Sequence, residues 1–378
     1  MKLMIVTPYY YPNIGGVQNY AKNIAEGLRR KYDWDVIVVT SNYNKHTYKE
    51  EKINGLKVYR LPFWFKFSNT PINPFWYFFI KNIIKKEKPD IVNAHSPVPF
   101  MSDIVSINCK DIPFVLTYHS GSMIKGNAKT DILIRLYENI FLYHTIKRAK
   151  KIVCVSDFVR LVFLKDHTGK SVTITPSVDT KKFFAKNFSI KNKNKVIFVG
   201  RIDKASEWKG TTYLLDAINL VKEKIPKVKL QLAGSGDALE GYQQYVKKNK
   251  LGKFVRFLGA LKGRKLVNAY RNTNVLVLPS ITEAESFGIV LIEAMACKIP
   301  VIGTRIGGIP SVIDHGKTGL LVKPENADEL AEAIYMILSN PQYAQQLGEK
   351  GFEKVKNKFT LEKNIFQTHL LLNKVLGI

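Results

Sequence analysis

Acidic residues are scarce in this chain: 31 Asp+Glu stand against 58 Lys+Arg in 378 residues, a formal charge of +27 at pH 7. That excess, spread over both halves, is more than solubility requires and points to an anionic partner or a Lys-rich proteome. Cysteine is scarcer still. Cys109, Cys154 and Cys297 are odd in number and widely spaced in apolar sequence, which excludes a disulfide framework and predicts buried thiols in a reducing compartment. No CxxC or HxxxH pair exists and the seven His are scattered, so no zinc site and no other metal is expected. No apolar run approaches the roughly 20 residues that span a bilayer; the richest, PFWYFFI at 74–80, is bounded by Asn73 and Lys81. The opening MKLMIVTPYY has no long apolar stretch and no small-residue cleavage site, so no signal peptide is expected and a cytoplasmic location is.

What is present is a folded composition, 46% hydrophobic, in a chain long enough for two domains. Strand-like runs alternate with helical ones: LMIVT (3–7), DVIVVT (35–40), KVYRL (57–61), DIVNAH (90–95), FVLTYH (114–119), KIVCVS (151–156) and VTITP (172–176). Between the first two, Val17, Ala21, Ile24, Ala25 and Leu28 keep helical spacing, completing a βαβ unit. The polar stretch at 185–195 reads as a linker. Beyond it the alternation restarts with VIFVG (196–200), VKLQLAG (228–234), FVRFLG (254–259), VLVLPS (275–280), PVIGT (300–304) and GLLV (319–322), and helical sequence from Ala327, restarted at Pro341, closes the chain. The fold class expected is α/β, two doubly wound Rossmann-like domains facing across a cleft: residues 1–190, residues 191–360, and a last helix at 361–378 packing back on the first domain. Ligands of such sheets sit beyond the carboxyl ends of the strands.

The densest chemistry follows two strands of the second half. VIFVG ends at Arg201, and Lys209 follows just before a helix, placing a guanidinium and an ammonium where they can hold a diphosphate without a metal. VLVLPS runs into a loop with Glu285, after which Phe287, Gly288 and Ile289 open a helix carrying Glu293. Amides at that helix start suit phosphate oxygens. Glu293 stands roughly 7 to 8 Å further along at about 1.5 Å per residue, an offset that suits a carboxylate accepting from a ribose diol. Its neighbours Leu291, Ile292, Ala294 and Met295 predict that it is enclosed.

The segments GRID…EWKG, Glu285-x7-Glu293, SFGIVLIEAMA and IPVIGTRIGGIPSVIDHGKTGLLV together resemble the retaining GT-B glycosyltransferases of family GT4, and the resemblance covers nearly the whole chain. It implies a hexose-type transfer from a nucleotide diphosphate sugar, UDP- or GDP-linked, which is a substrate, with no cofactor and no metal. It implies an acceptor-binding first domain and a nucleotide-sugar-binding second domain. By the same resemblance Arg201 and Lys209 hold the donor diphosphate and stabilise the leaving group, Glu293 binds the ribose, and Glu285 contacts the sugar hydroxyls. Phe287, Gly288 and Ile289 supply backbone amides, while Phe257, Leu258 and Gly259 flank the base. In the first half Gly15 and Gly16 close over the phosphates and acceptor, and His119 approaches the reacting carbon. Catalytic roles thus fall on His119, Arg201, Lys209 and Glu285. Two departures are Pro176-Ser177-Val178-Asp179, where the family commonly has Asn-Gly-Val-Asp, and the lengthened 205–208 loop.

Residues 62–88 combine dense aromatics with a basic end, and 132–151 pair helically spaced apolar residues with Lys147, Arg148, Lys150 and Lys151. Such surfaces suit an anionic bilayer, so a lipid-linked or glycan acceptor and a peripheral place on the inner face of the cell membrane are expected; the alternative is that the aromatics are core. A basic nucleic-acid-binding protein is the rival suggested by charge, but no recognised motif supports it and no nucleic acid partner is expected. An epimerase or phosphorylase on the same fold is the rival enzyme.

Overall fold

The computed structural model describes residues 1–13, 15–42, 46–67, 70–121, 123–124, 128–185 and 194–378. Of the linker expected at 185–195, residues 186–193 lie outside those described. The chain forms two compact units, Met1–Pro176 together with Leu361–Ile378, and Ser177–Thr360.

The N-terminal unit holds β1 (Lys2–Thr7), β2 (Asp35–Ser41), β3 (Lys49–Ile53), β4 (Leu56–Leu61), β5 (Phe65–Phe67), β6 (Thr70–Ile72), β7 (Ile91–Ser96), β8 (Phe114–Tyr118), β9 (Lys151–Cys154) and β10 (Ser171–Thr173). Eight of them form one sheet in the order β10-β9-β8-β7-β1-β2-β4-β3, parallel throughout except for β3 against β4. The central strands are buried along nearly their full length because helices cover both faces. Strand β3 was not foreseen, and its sequence KEEKI explains why: it is a charged, largely exposed edge strand with no apolar alternation to read. β5 and β6 pair as a separate two-stranded ribbon.

Helix Gly16–Tyr32 buries Tyr20, Ala21, Ile24, Ala25 and Leu28 on one face, and Arg29, Arg30 and Lys31 complement its C-terminal dipole. A Cβ on Gly27 would come 2.2 Å from Ile365 Cδ1, so the absent side chain lets the last helix, Leu361–Leu376, dock closely on this one.

The C-terminal unit holds β11 (Lys195–Val199), β12 (Lys229–Ala233), β13 (Val255–Phe257), β14 (Val275–Leu278), β15 (Val301–Thr304) and β16 (Leu320–Val322), all parallel, in the order β13-β12-β11-β14-β15-β16. This is the doubly wound Rossmann order, whose switch point lies between β11 and β14. The restart at Pro341 is local chemistry: Asn340 Oδ1 accepts from Tyr343 N at 3.0 Å, and Pro341 occupies the first helical turn, where its missing N–H costs nothing. Cys109, Cys154 and Cys297 are all free and buried.

Candidate active site

The loop after β11 and the loop after β14 flank the switch point, and they meet. The single-turn helix Lys204–Lys209 ends at Gly210, whose φ of 70° is left-handed and whose hypothetical Cβ would lie 2.0 Å from the Pro279 carbonyl oxygen. Glycine alone lets these two backbones touch. Ile281 N donates to Trp208 O at 2.8 Å, locking the contact.

That contact delivers Lys209 to Glu285. Lys209 Nζ lies 2.8 Å from Glu285 Oε2, with the two side chains only 15% and 11% exposed. Ser280 Oγ donates to the same carboxylate oxygen at 3.1 Å, and the Trp208 ring lies 4.3 Å from the ammonium. Among the described residues the buried indole Nε1 of Trp208 has no hydrogen-bond partner. Arg201 stands on the same loop but points to solvent; among the described residues its one ion pair is with Asp203, at 3.6 Å.

After Glu285 the chain turns at buried Ser286 and Phe287 into helix Ile289–Ala296. Gly288, at φ 85°, precedes the first turn, and no side chain caps it, so the leading amides remain open to an anion. A third loop, after β15, closes on this turn: Gly308 N donates to Glu285 O at 2.8 Å, and a Cβ on Gly308 would sit 1.7 Å from Ser286 O. Phe287 packs edge-on against Phe359 at 5.5 Å.

One turn along the helix, half-buried Glu293 accepts from Tyr270 OH at 2.7 Å. Burial pushes its carboxyl up to about 7, against the opposing pull of the Tyr270 hydroxyl. Phe257 and Leu258 end β13 half-buried, and Leu258 N donates to Leu232 O at 2.9 Å. Lys209, Glu285 and the helix start thus come together at the carboxyl ends of the central strands β11 and β14, Arg201 shares the Lys209 loop, and Glu293 follows along the helix.

In the N-terminal unit, Gly15 precedes the helix that opens at Gly16, in extended backbone that any residue could adopt. His119 follows β8, its N–H donating to Ser96 O at 2.9 Å. Burial lowers its imidazole to about 3, so it is neutral at physiological pH. Its Nε2 lies 2.9 Å from Nδ1 of His95.

Five participants escaped the sequence reading: Tyr270, Ser280, Trp208, Gly308 and His95. Ser280 could have been found as a polar residue ending an apolar strand, and Gly308 as half of a second glycine pair. Nothing in the spacing of Tyr270 pointed to Glu293.

Two family descriptions match the chain, Glycosyltransferase Family 4 over residues 14–182 and Glycosyl transferases group 1 over residues 179–354. A phosphatidyl-myo-inositol mannosyltransferase of Mycolicibacterium smegmatis is 26% identical over 361 residues, 94% of this chain and 89% of that protein. Sucrose-phosphate synthase from Thermosynechococcus elongatus superposes with a TM-score of 0.81 at 22% identity, over 100% of this chain and 99% of the other. Anabaena HepE, solved with UDP and glucose, does so at 0.75 and 18% identity over 99% of both.

The chain belongs to the group 1, family 4 glycosyltransferases. Its two Rossmann-like units are those of the GT-B fold, and the loops gathered around the β11/β14 switch point are this glycosyltransferase's candidate donor site. Among the described residues no helix is long and apolar enough to cross a membrane.

Proposed function

We propose that this glycosyltransferase moves a hexose-type sugar from a UDP- or GDP-sugar, with retention of anomeric configuration, to a lipid-linked or glycan-precursor acceptor at an anionic membrane surface. The observation that carries the proposal is the Lys209–Glu285 pair, 2.8 Å apart, leading within three residues into an uncapped helix start. A donor diphosphate is the ligand that suits a cation, open amides and a nearby carboxylate at once; the HepE complex with UDP and glucose supports that choice.

In the proposed reaction the bond between the anomeric carbon and the diphosphate oxygen breaks. Charge growing on the diphosphate is met by Lys209, Arg201 and the amides of Phe287, Gly288 and Ile289, which are already oriented. The acceptor hydroxyl adds to the same face and its proton passes to the departing diphosphate. Glu285 is held by Lys209 and Ser280, which suits it to accept from sugar hydroxyls rather than to act as a nucleophile. Glu293 takes the ribose diol. With two cations and a helix end available, the reaction requires no metal. Gly15, Gly16 and His119 serve the transfer from the N-terminal unit.

The membrane part of the proposal rests on that same N-terminal unit. Apolar residues of 62–88 divide: Phe63, Trp76, Ile80 and Ile83 are core, while Trp64, Phe65, Phe75 and Phe78 are exposed. Helix Ala128–Tyr137 and the turns after it expose Ile132, Leu133, Leu136, Ile140, Phe141 and Tyr143, beside exposed Lys147, Arg148 and Lys150. Apolar groups beside cations match an anionic bilayer interface. The phosphatidyl-myo-inositol mannosyltransferase relative, named for a lipid, supports a lipid-linked acceptor.

Incubation with UDP-glucose or GDP-mannose and a total lipid extract tests the reading. Nucleoside diphosphate release only in the presence of lipid, with a product whose anomeric configuration by NMR is that of the donor, is expected. An epimerised donor, a sugar 1-phosphate, or an inverted product overturns it.

A further inference from the structure

His95 and His119 stand at the ends of adjacent parallel strands, β7 and β8. His95 is 2% exposed. Its ring lies almost parallel to that of His119, centroids 4.9 Å apart and planes inclined by 28°, with His95 Nδ1 2.9 Å from His119 Nε2. Tyr20 presses its edge on both, at 5.8 Å from His95 and 5.0 Å from His119. Tyr20 itself is buried on the face of helix Gly16–Tyr32, which docks on the last helix of the same unit at Gly27 and Ile365.

We infer that His95 is a positioning residue for the transfer: its Nδ1 fixes both the tautomer and the ring orientation of His119. The inference rests on the role proposed above for His119. Burial holds both imidazoles below their usual range, and for His95 a charge on His119 would add to the effect, so both rings are neutral near pH 7. Two neutral imidazoles facing each other at hydrogen-bond distance share one hydrogen. The tautomer of His95 therefore dictates which nitrogen of His119 carries a proton, and so whether His119 Nδ1 donates or accepts. The backbone helps, since Ser96, next to His95, accepts from His119 N. Tyr20, packed across both rings, keeps them from rotating apart.

The discriminating pair of variants is His95→Asn and His95→Gln. Both are polar amides, but Asn places its amide where Nδ1 was, and Gln places it where Nε2 was. In the wild type, ring 15N signals of His119, assigned by their loss in His119→Asn, are expected to report a single neutral tautomer from pH 7 down to pH 5. His95→Asn keeps that pattern; His95→Gln replaces it with averaged signals. Diphosphate release from UDP-glucose or GDP-mannose with lipid extract should then fall about 10- to 100-fold in kcat for His95→Gln, with donor KM within about twofold, and recover in His95→Asn. Unchanged His119 signals and turnover in His95→Gln, with His119→Ala impaired, overturn the inference alone. Wild-type turnover in His119→Ala overturns the role of His119 and the inference with it. Should His95→Gln fail to fold, His95→Ala takes its place: averaged His119 signals uphold the inference, and signals equal to those of the wild type overturn it.

Discussion

The ammonium of Lys209 and the carboxylate of Glu285, 76 residues apart in sequence, lie 2.8 Å from one another at the switch point of the C-terminal sheet. In the absence of donor each neutralises the other. In the proposed reaction an arriving diphosphate draws Lys209 away and leaves Glu285 to the sugar hydroxyls.

Lys209→Ala and Arg201→Ala should each lower kcat by about 10²-fold or more, because the clamp acts on charge that appears only in the transition state. Lys209→Ala strands a nearly buried carboxylate as well, so a double-mutant cycle of Lys209→Ala and Glu285→Ala should show a coupling of about 0.5–3 kcal/mol in urea unfolding. Additive losses in that cycle would mean that the pair contributes nothing.

Glu293, in its proposed role on the ribose, should give donor binding a pH dependence. With its carboxyl raised from the usual 4.5 to about 7, UDP affinity should weaken as pH falls through 7, and Glu293→Gln should flatten the curve. Tyr270→Phe removes the hydrogen bond that favours the charged form, so the midpoint should move up. For stability the sign is reversed: the folded state holds a proton that the unfolded state releases, so this contribution is full below pH 4.5 and is lost as pH rises through about 7.

The N-terminal unit should behave oppositely. His95, His119 and His369 all sit below the usual 6.5, each primarily through burial. Unfolded chain binds protons that the folded unit refuses, so stability is full above pH 6.5 and falls as pH drops toward the value of about 3 for His119. His369 Nδ1 accepts from Trp34 Nε1 at 3.1 Å and its ring stacks on Tyr32 at 3.9 Å. Protonation at Nδ1 breaks the first contact. Urea unfolding followed by Trp34 fluorescence should show an acid-dependent loss that His369→Gln reduces.

Much of this arrangement was legible in the sequence because parallel sheets announce themselves. Strands β1, β11 and β14 are mostly apolar runs, each followed by a loop that leads into a helix. The candidate donor residues stood out for a different reason: Lys209, Glu285 and Gly288 lie on the loops that follow β11 and β14, where a doubly wound sheet gathers its ligand-facing segments. What depends on packing across long separations was not legible. Tyr270 reaches Glu293 from another helix, His95 reads as one more strand residue, and β3 has a charged edge in place of an apolar pattern. The aromatic segment at 62–88 was ambiguous because one helix, Trp76–Glu87, buries Trp76 and exposes Phe78.

Gly210→Ala and Gly308→Ala should destabilise the C-terminal unit by about 2–4 kcal/mol each, the first through a left-handed φ and a backbone clash, the second through the clash at Ser286 O. Urea midpoints of the isolated variants measure this. A wild-type midpoint for Gly308→Ala would show that the β15 loop does not press on the Glu285 turn.

Ile132→Ser, Leu133→Ser and Leu136→Ser combined should weaken binding to vesicles containing anionic lipid at least tenfold while leaving UDP affinity unchanged. Wild-type binding should also fall steeply as salt is raised, since exposed charges are screened within about 10 Å at 0.1 M. Vesicle sedimentation reads both.

In the proposed function Lys209, Arg201 and the start of helix Ile289–Ala296 hold a diphosphate. Thermal unfolding with UDP, GDP, and the matching nucleosides uridine and guanosine tests it most directly. One of the diphosphates, at about 100 times its Kd, should stabilise the wild type by roughly 2.7 kcal/mol; its nucleoside should do far less, and Lys209→Met with Arg201→Met should abolish the difference. Equal stabilisation by nucleoside and diphosphate, or an undiminished diphosphate effect in the double variant, would contradict the account.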